Sequence, residues 1–203
     1  MARYTKAKGR VNRRLQALIY ENSGAAKALE KRSQPPGMHT RFRRPSNYGM
    51  ALMEKQKIKH FYGLGERQLR RYFEKATRQK GNTGENLLLL CEQRLDNVIR
   101  KVGLAKTRPQ ARQGVAHGHF RVNGQKVDRP SFMVRVGDII TVRPRKNVLQ
   151  MYQKIREMGV EGEGCEWVTF DSETLTAIVA GKPSGSDISL PVDANTVVEF
   201  LSR

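Results

Sequence analysis

The hydrophobic pattern of this 203-residue chain changes period at Gly118, from helix-like to strand-like. Upstream of that glycine, apolar residues step by three or four positions and predict one buried helix ending at Gly103: Leu88, Cys91, Leu95, Val98 and Val102. The Thr107–Gln110 capping box, with a proline in its first turn, predicts a short helix through about Ala116.

Downstream of Gly118, apolar residues alternate with polar ones, which is typical of strands. Phe120 and Val122 flank Arg121, and Asn123-Gly124 indicates a two-residue hairpin turn. A similar alternation over 132–142, with a turn at Gly137-Asp138, predicts at least one more hairpin. The region 92–143 is therefore predicted to be two helices packed on a small twisted antiparallel sheet.

The remaining sequence predicts helices before this region and mixed elements after it. Helices are expected near 25–31, over two apolar stripes at 50–62 and 69–76 that pack together, and at 148–158. Strands are expected at 167–170 and 176–179, whereas 197–201 fits either a strand or a terminal helix. The whole is an α+β chain in four segments: a basic arm at 1–47 that becomes ordered on binding its partner, a helical domain at 48–91, a binding module at 92–150 and an acidic segment at 151–203.

Positive charge is distributed unevenly along the chain. Residues 1–80 contain 21 Lys+Arg against 5 Asp+Glu, residues 81–150 contain 13 against 5, and residues 151–203 contain 4 against 9. A block of this density repels itself and implies a polyanionic partner, most simply nucleic acid. Basic side chains spread over several elements suit an irregular RNA surface better than one DNA groove.

Several other function classes are disfavoured by the sequence. Cys91 and Cys165 stand far apart without a C-x-x-C pair, and His117 and His119 lack zinc-site spacing, so we expect no metal. No dinucleotide or phosphate-loop motif is present, and we expect no cofactor, no small-molecule substrate and no catalytic residue. No apolar run is long enough for a membrane span or a signal peptide. The Arg-rich start lacks the serines typical of an organelle transit peptide, so we expect a cytoplasmic protein.

The candidate RNA-binding residues fall into three groups. Each group consists mainly of basic side chains that lie close together on one segment of the chain. The third group also includes the free backbone N–H groups at the capped start of a helix. They are Arg3, Lys6, Lys8, Arg10, Arg13, Arg14, Arg41, Arg43 and Arg44 of the arm; Lys55, Lys57, Lys59, Arg67, Arg70 and Arg71 of the helical domain; and Lys106, Thr107, Arg108, Arg112, His117, Arg121 and Asn123 of the module. Acids are too few for pairing to explain these cations.

Specific stretches of the chain resemble a known family. The motifs at 95–100, 108–115, 117–119, 121–127 and 136–139 closely resemble the S-four RNA-binding domain. Those at 35–39, 46–57, 62–63, 67–73 and 80–86 resemble bacterial small-subunit ribosomal protein S-four, over Met1 to Lys146 and loosely through Trp167 to Arg203. The N-terminal region has no cysteines, so the chain resembles the zinc-free branch of the family.

The resemblance implies a primary binder of small-subunit (16S-type) ribosomal RNA that nucleates assembly of the subunit body. It further implies contact with protein S-five, an influence on translational accuracy together with S-five and S-twelve, and a place near the messenger entry path. It does not imply a homo-oligomer.

Two other functions remain open at this stage. Arg94-Leu95-Asp96 resembles the signature of pseudouridine synthases that carry an S-four domain, although Asp96 lies inside the binding module and is interpreted as a structural acid pairing with Arg94 or Arg100. The other alternative is a general nucleic-acid-binding protein.

For an RNA-binding protein of this family, we expect the acidic segment 151–203 to face protein neighbours or solvent, since phosphate would repel it.

Overall fold

The computed structural model describes residues 4–32, 34–38, 44–160, 162 and 165–202. Its elements in chain order are α1 (Lys8–Leu15), α2 (Ser23–Lys31), α3 (Asn47–Phe61), α4 (Glu66–Thr77), α5 (Thr83–Glu92), α6 (Leu95–Lys101), α7 (Arg108–Ala116), β1 (Phe120–Val122), β2 (Gln125–Val127), β3 (Ile139–Val142), α8 (Lys146–Glu157), β4 (Val168–Asp171), β5 (Thr176–Val179), a 3₁₀ turn (Gly185–Asp187) and α9 (Ala194–Ser202). The predicted α+β class is confirmed.

The chain forms two compact units. Unit 1 contains the described residues up to Leu88 and those from Leu190 onward, and unit 2 contains Leu89–Ser189. The acidic segment contributes α8, β4 and β5 to unit 2 and α9 to unit 1. The four-segment division made from the sequence remains a prediction.

Helix α1 of unit 1 was not predicted from the sequence. It packs against α2 and buries Val11 and Leu15. Asn12, fully buried, holds the chain after the helix: its amide donates to the Tyr20 carbonyl (3.0 Å) and accepts from the Ile19 (3.2 Å) and Tyr20 (3.0 Å) N–H groups. Protein contacts therefore organise part of the basic arm. Its ordering by RNA remains a prediction.

An aromatic cluster also packs on the end of α3. The Tyr20 hydroxyl lies 3.2 Å from Nδ1 of His60, and the ring of Tyr4 meets that of His60 edge-on. Burial lowers the pKa of His60, and the charges of Lys59 and Arg14 lower it further.

Helix α3 packs chiefly against α9, and α4 approaches it where Glu66 binds Lys55 and Lys59. The packing of the two apolar stripes against each other remains a prediction. Residues 197–201 are helical, so the strand interpretation of this stretch is wrong. Val197 is fully buried, and Gly84 lies so close to α9 that an added Cβ would stand 2.7 Å from the Cβ of Ala194. Glycine thus permits the close approach of α5 and α9.

The sheet of unit 2 has five antiparallel strands in the order β2-β1-β3-β5-β4. The predicted Asn123-Gly124 turn is confirmed, because both residues have positive φ (50° and 79°), as a type I′ turn requires. The strands predicted near 167–170 and 176–179 also form, and they extend this same sheet. Its inner face packs on α6, α7 and α8 around Phe120 and Ile140, which are almost completely buried.

Two predictions for unit 2 are wrong for a shared reason. The helix predicted through 88–102 is broken between α5 and α6, where Arg94 is extended (φ −74°, ψ 139°). The second hairpin does not form, because residues 132–134 bond instead to this break: Leu95 N–H donates to Phe132 O (2.9 Å), and Val134 N–H to Gln93 O (3.0 Å). The apolar stripe is still buried, but a tertiary contact interrupts its backbone.

No helix within the described ranges is long and apolar enough to cross a membrane.

Candidate RNA-binding surfaces

The start of α7 is capped nearly as predicted. The Thr107 hydroxyl accepts from Gln110 N–H (3.4 Å), and Pro109 occupies the first turn. The Gln110 side chain reaches back to the N–H of Lys106 (2.9 Å) instead of Thr107. Lys106 itself is exposed, with its ammonium 3.2 Å from the Met158 sulfur.

Arg108 is buried at 8% exposure, contrary to the expectation that it faces RNA. Its Nε donates to the Asn97 side-chain oxygen (2.9 Å), and a terminal nitrogen donates to the Ser189 hydroxyl (3.2 Å). The guanidinium ties α6 and α7 to the segment after the 3₁₀ turn. We therefore leave Arg108 out of the RNA-binding surface proposed below.

Arg112 is also directed into the protein, with only 12% of its side chain exposed. Its guanidinium lies 3.2 Å from the Asp96 carboxylate, which the Arg94 side chain binds through two hydrogen bonds of 2.9 and 2.6 Å. Arg94 has no exposed side-chain surface. The predicted pairing of Asp96 with Arg94 is confirmed, and Arg112 shares that carboxylate.

A second ionic group continues this buried layer of unit 2. Glu92, fully buried, accepts from the Asn97 amide (2.5 Å) and pairs with the Lys101 ammonium (3.2 Å). Lys101 also donates to the backbone carbonyl of Asp187. These contacts fix the end of α5, α6 and the 3₁₀ turn relative to one another within unit 2.

Asn123 is exposed, but its side-chain amide is used within the protein. The amide donates to Asp138 (2.9 Å) and accepts from the Ile139 N–H (2.9 Å), so the hairpin turn is held to the start of β3. Of the candidates in this module, Lys106 and His117 are exposed and Arg121 is half-buried on the outer face of the sheet.

The arm presents its cations in two adjoining clefts of about 390 and 560 Å³. The smaller cleft contains four arginines, Arg10, Arg13, Arg14 and Arg32, together with Pro36 and Gly37, and the larger adds Lys6 and Lys8. Arg13 holds the segment at 34–35 against α1, because its guanidinium donates to the carbonyls of Gln34 (2.9 Å) and Pro35 (3.1 Å). Within the part of the arm that the structure describes, no carboxylate lines either cleft.

The lysines of α3 are less available than their number suggested. Lys55 and Lys59 both bind Glu66, at 2.7 and 3.0 Å, and Lys57 binds Glu54 at 2.5 Å. Local pairing therefore explains these three cations, contrary to the sequence argument. The tertiary approach of α4 supplies the carboxylate for two of them.

The exposed cations of unit 1 are instead distributed over the arm and α4. Among the predicted RNA-binding residues of unit 1, the exposed ones are Lys6, Arg10, Arg14, Arg44, Arg67, Arg70 and Arg71. Arg3, Arg41 and Arg43 lie outside the described residues. Three further cations lie at these surfaces and were missed from the sequence: Arg32 in the smaller cleft, and Lys126 and Arg143 on the sheet.

Unit 1 also contains a cleft of opposite character, between α3 and α9. Its volume is about 520 Å³, and its acidic members are Glu54, Asp193 and Glu199. Tyr48 and Met50, which are 61% and 46% exposed, supply apolar surface beside them. We call this the acidic cleft.

Comparison with known proteins shows what the chain is similar to. Residues 3–92 match the Ribosomal protein S4/S9 N-terminal domain, and residues 93–140 match the S4 domain. Over the full length of both chains, the protein is 66% identical to small ribosomal subunit protein uS4 of Rhodopirellula baltica. The chain belongs to the uS4 family. Full-length uS4-type relatives from Alkaliphilus metalliredigens and Rubrobacter xylanophilus are each 46% identical.

The uS4 family assignment agrees with the backbone at the boundary between the two matched regions. That boundary falls after Glu92, where α5 ends and before α6 begins at Leu95. The S4 match covers α6, α7 and the hairpin, and it includes Lys106 just before α7, His117 just after it and Arg121 on β1.

Proposed function

We propose that this chain is a structural component of the small ribosomal subunit that binds the subunit's ribosomal RNA. The observation that carries the proposal is full-length 66% identity to a protein named for that subunit. The excess of cations, exposed on the arm, on α4 and on the S4 module, supplies the physical means.

The charge distribution predicts how binding responds to salt. If about eight exposed cations each neutralise a phosphate, log K falls with log salt at a slope of about −6 to −7. Sequence preference would come from the shape of the folded RNA, which arranges its phosphates to meet both units.

We further propose, from the resemblance to ribosomal S-four proteins, that binding nucleates assembly of the subunit body and that the chain influences accuracy with S-five and S-twelve near the messenger entry path. The acidic cleft supports a protein neighbour at α3 and α9. Its carboxylates would repel phosphate, and its exposed Tyr48 and Met50 suit an apolar contact. We assign S-five to this cleft.

The assignment of S-five has a direct test. Glu199→Lys should weaken binding of S-five without weakening binding of rRNA, whereas Glu173→Lys, an exposed acid on unit 2, should leave both unchanged. Unchanged S-five binding in Glu199→Lys would remove the acidic cleft from that interface.

We propose a binding role without catalysis. The only acid in the synthase-like motif, Asp96, is 5% exposed and already binds Arg94 and Arg112, which leaves it poorly placed to attack a base. Turnover by the wild-type chain in a base-modification assay would contradict this. The proposed location is the cytoplasmic ribosome, where the chain should sediment with small subunits.

The central experiment is retention of the 5′ domain of small-subunit rRNA by the purified chain at about 0.2 M salt, where non-specific affinity weakens to roughly 10⁻⁴ to 10⁻⁶ M. Transfer RNA and duplex DNA serve as competitors. Tight binding that survives both supports the proposal. Equal loss to every competitor would leave a general nucleic-acid-binding protein.

A further inference from the structure

Two cations face each other directly across the hairpin of unit 2. Arg121 of β1 is the register partner of Lys126 of β2. Because Phe120 and Val122 point into the core, Arg121 and its partner point to the outer face of the sheet. Like charges directly opposite in an antiparallel pair destabilise the sheet. The Arg121–Lys126 pair therefore does not stabilise the fold, and its presence calls for a functional explanation.

The strands hold no carboxylate close to this pair in its own row, and the exposed Asp128, about 7 Å from Lys126 just beyond the end of β2, forms no ion pair with it. Continuing along the same row from Arg121, the register places Thr141 and then Thr176 before the first acid, Asp171. Three strand spacings put Asp171 about 14 Å from Arg121, beyond the screening length of about 8 Å at physiological salt. Within the described residues, neither Arg121 nor Lys126 forms an ion pair.

The Lys126 side chain is held in place by a glycine. A Cβ on Gly118 would lie 3.2 Å from the Lys126 ammonium nitrogen and closer still to its last methylene, so the lysine lies directly against this residue. Gly118 also has a φ of +67°, which favours glycine. The ammonium is thus positioned beside the turn that joins α7 to β1.

A third cation reaches the same turn. The Arg143 N–H donates to the His119 carbonyl at 2.7 Å, and alternation after the buried Val142 directs the Arg143 side chain outward. Partial burial lowers the pKa of His119, and the charges of His117 and Arg143 lower it further, which agrees with a cation close by.

We propose that Arg121, Lys126 and Arg143 form a phosphate clamp that binds the RNA backbone on the outer face of the hairpin. The proposal rests on the proposed function. A phosphate oxygen would neutralise the like-charge pair, and the planar guanidinium groups provide paired donors for it. Lys126 and Arg143 become RNA-binding residues that the sequence analysis did not identify. In the complex, the phosphate relieves the repulsion between Arg121 and Lys126.

The clamp predicts opposite effects on binding and on stability. Lys126→Gln and Arg121→Gln should each reduce the steepness of log K against log salt by about 0.7–0.9, and the double variant by about 1.4–1.8, measured with the 5′ domain of small-subunit rRNA. The melting temperature of the free protein should stay equal or rise, because a repulsion is removed. Lys182→Gln, an exposed cation elsewhere in unit 2, is the charge-matched control and should change neither slope nor melting temperature.

Removing a negative charge near the clamp tests the same site without removing a cation. Asp128 is exposed, two residues from Lys126 and about 7 Å away along the strand. Asp128→Asn should tighten RNA binding and leave the fold intact. Unchanged or weaker binding would count against a phosphate at this position.

The remaining outcomes separate the clamp from the proposed function. If the wild-type chain selects rRNA but the clamp variants behave like Lys182→Gln, the clamp is refuted and the proposed function stands. A fall in melting temperature would assign the pair a structural role and refute the clamp. If the wild type binds all RNAs alike, the proposed function fails, while the salt slopes on any of those RNAs still decide the clamp.

Discussion

Replacing Asp96 with asparagine should destabilise unit 2 strongly while leaving its shape unchanged. The Asp96 carboxylate binds the Arg94 guanidinium at 2.9 and 2.6 Å and Arg112 at 3.2 Å. The Arg94 side chain is completely buried, so no solvent can replace the lost charge. Asn has nearly the same volume but no charge, and its amide would direct donors toward these guanidinium groups.

The expected loss follows from the burial of the pair. Removing one partner of a buried ion pair costs about 3–5 kcal/mol, because the other charge remains buried and uncompensated. At a denaturant slope of about 2 kcal/mol per molar urea, the unfolding midpoint should fall by about 1.5–2.5 M. Arg112→Gln should cost less, about 1–2 kcal/mol, since Arg94 still satisfies the carboxylate.

Trp167 provides the assay. It is the only tryptophan of the chain and is buried in the core of unit 2, so its fluorescence during urea unfolding reports on that unit. Asp128→Asn, at an exposed carboxylate, is the control and should stay within about 0.5 kcal/mol of wild type. If Asp96→Asn unfolds at the wild-type midpoint, the buried ion pair is not what holds α6 and α7 in place.

Three further predictions concern unit 1. Gly84→Ala should destabilise unit 1 and loosen α9, because the new Cβ meets Ala194, and hydrogen exchange of α9 measures this effect. The control is Gly24→Ala, which has open space around it and should be neutral or stabilising by up to about 1 kcal/mol. Asn12→Ala should cost at least about 2 kcal/mol in thermal unfolding, since it strands three buried backbone partners; a wild-type Tm would show that water satisfies them. Because the pKa of His60 is lowered in the folded state, the free energy of unfolding should decline as pH falls below about 6.5. His60→Gln should flatten that decline, and an equally steep decline in the variant would refute the role of His60.

Local chemistry explains the elements that were predicted well. The start of α7 depends on Thr107, Pro109 and Gln110, which act within one turn of helix. The Asn123-Gly124 turn depends on two residues that tolerate positive φ. Such signals need no distant partner. Family membership was also readable, because extended motifs identify relatives without reference to contacts.

Long-range contacts explain where prediction failed. The regular apolar spacing from Leu88 to Val102 fits one continuous helix and two consecutive helices equally well. The break between α5 and α6 occurs where Arg94 pairs with Met133, a contact distant in sequence. Helix α1 gains its order from α2 and from the buried amide of Asn12, neither of which leaves a periodic signal.

The sequence by itself determined the sign of the surface charge, the α+β class and the uses of locally coded turns and caps, because these depend on composition and on neighbours along the chain. Only the tertiary structure decided which cations face solvent. Arg108 and Arg112 look like surface donors in sequence but are turned inward by Asn97 and Asp96. Lys126, one of the three cations missed from the sequence, is brought opposite Arg121 by strand register. Burial and cross-strand pairing are properties of the packed chain, so a linear pattern of charges does not contain them.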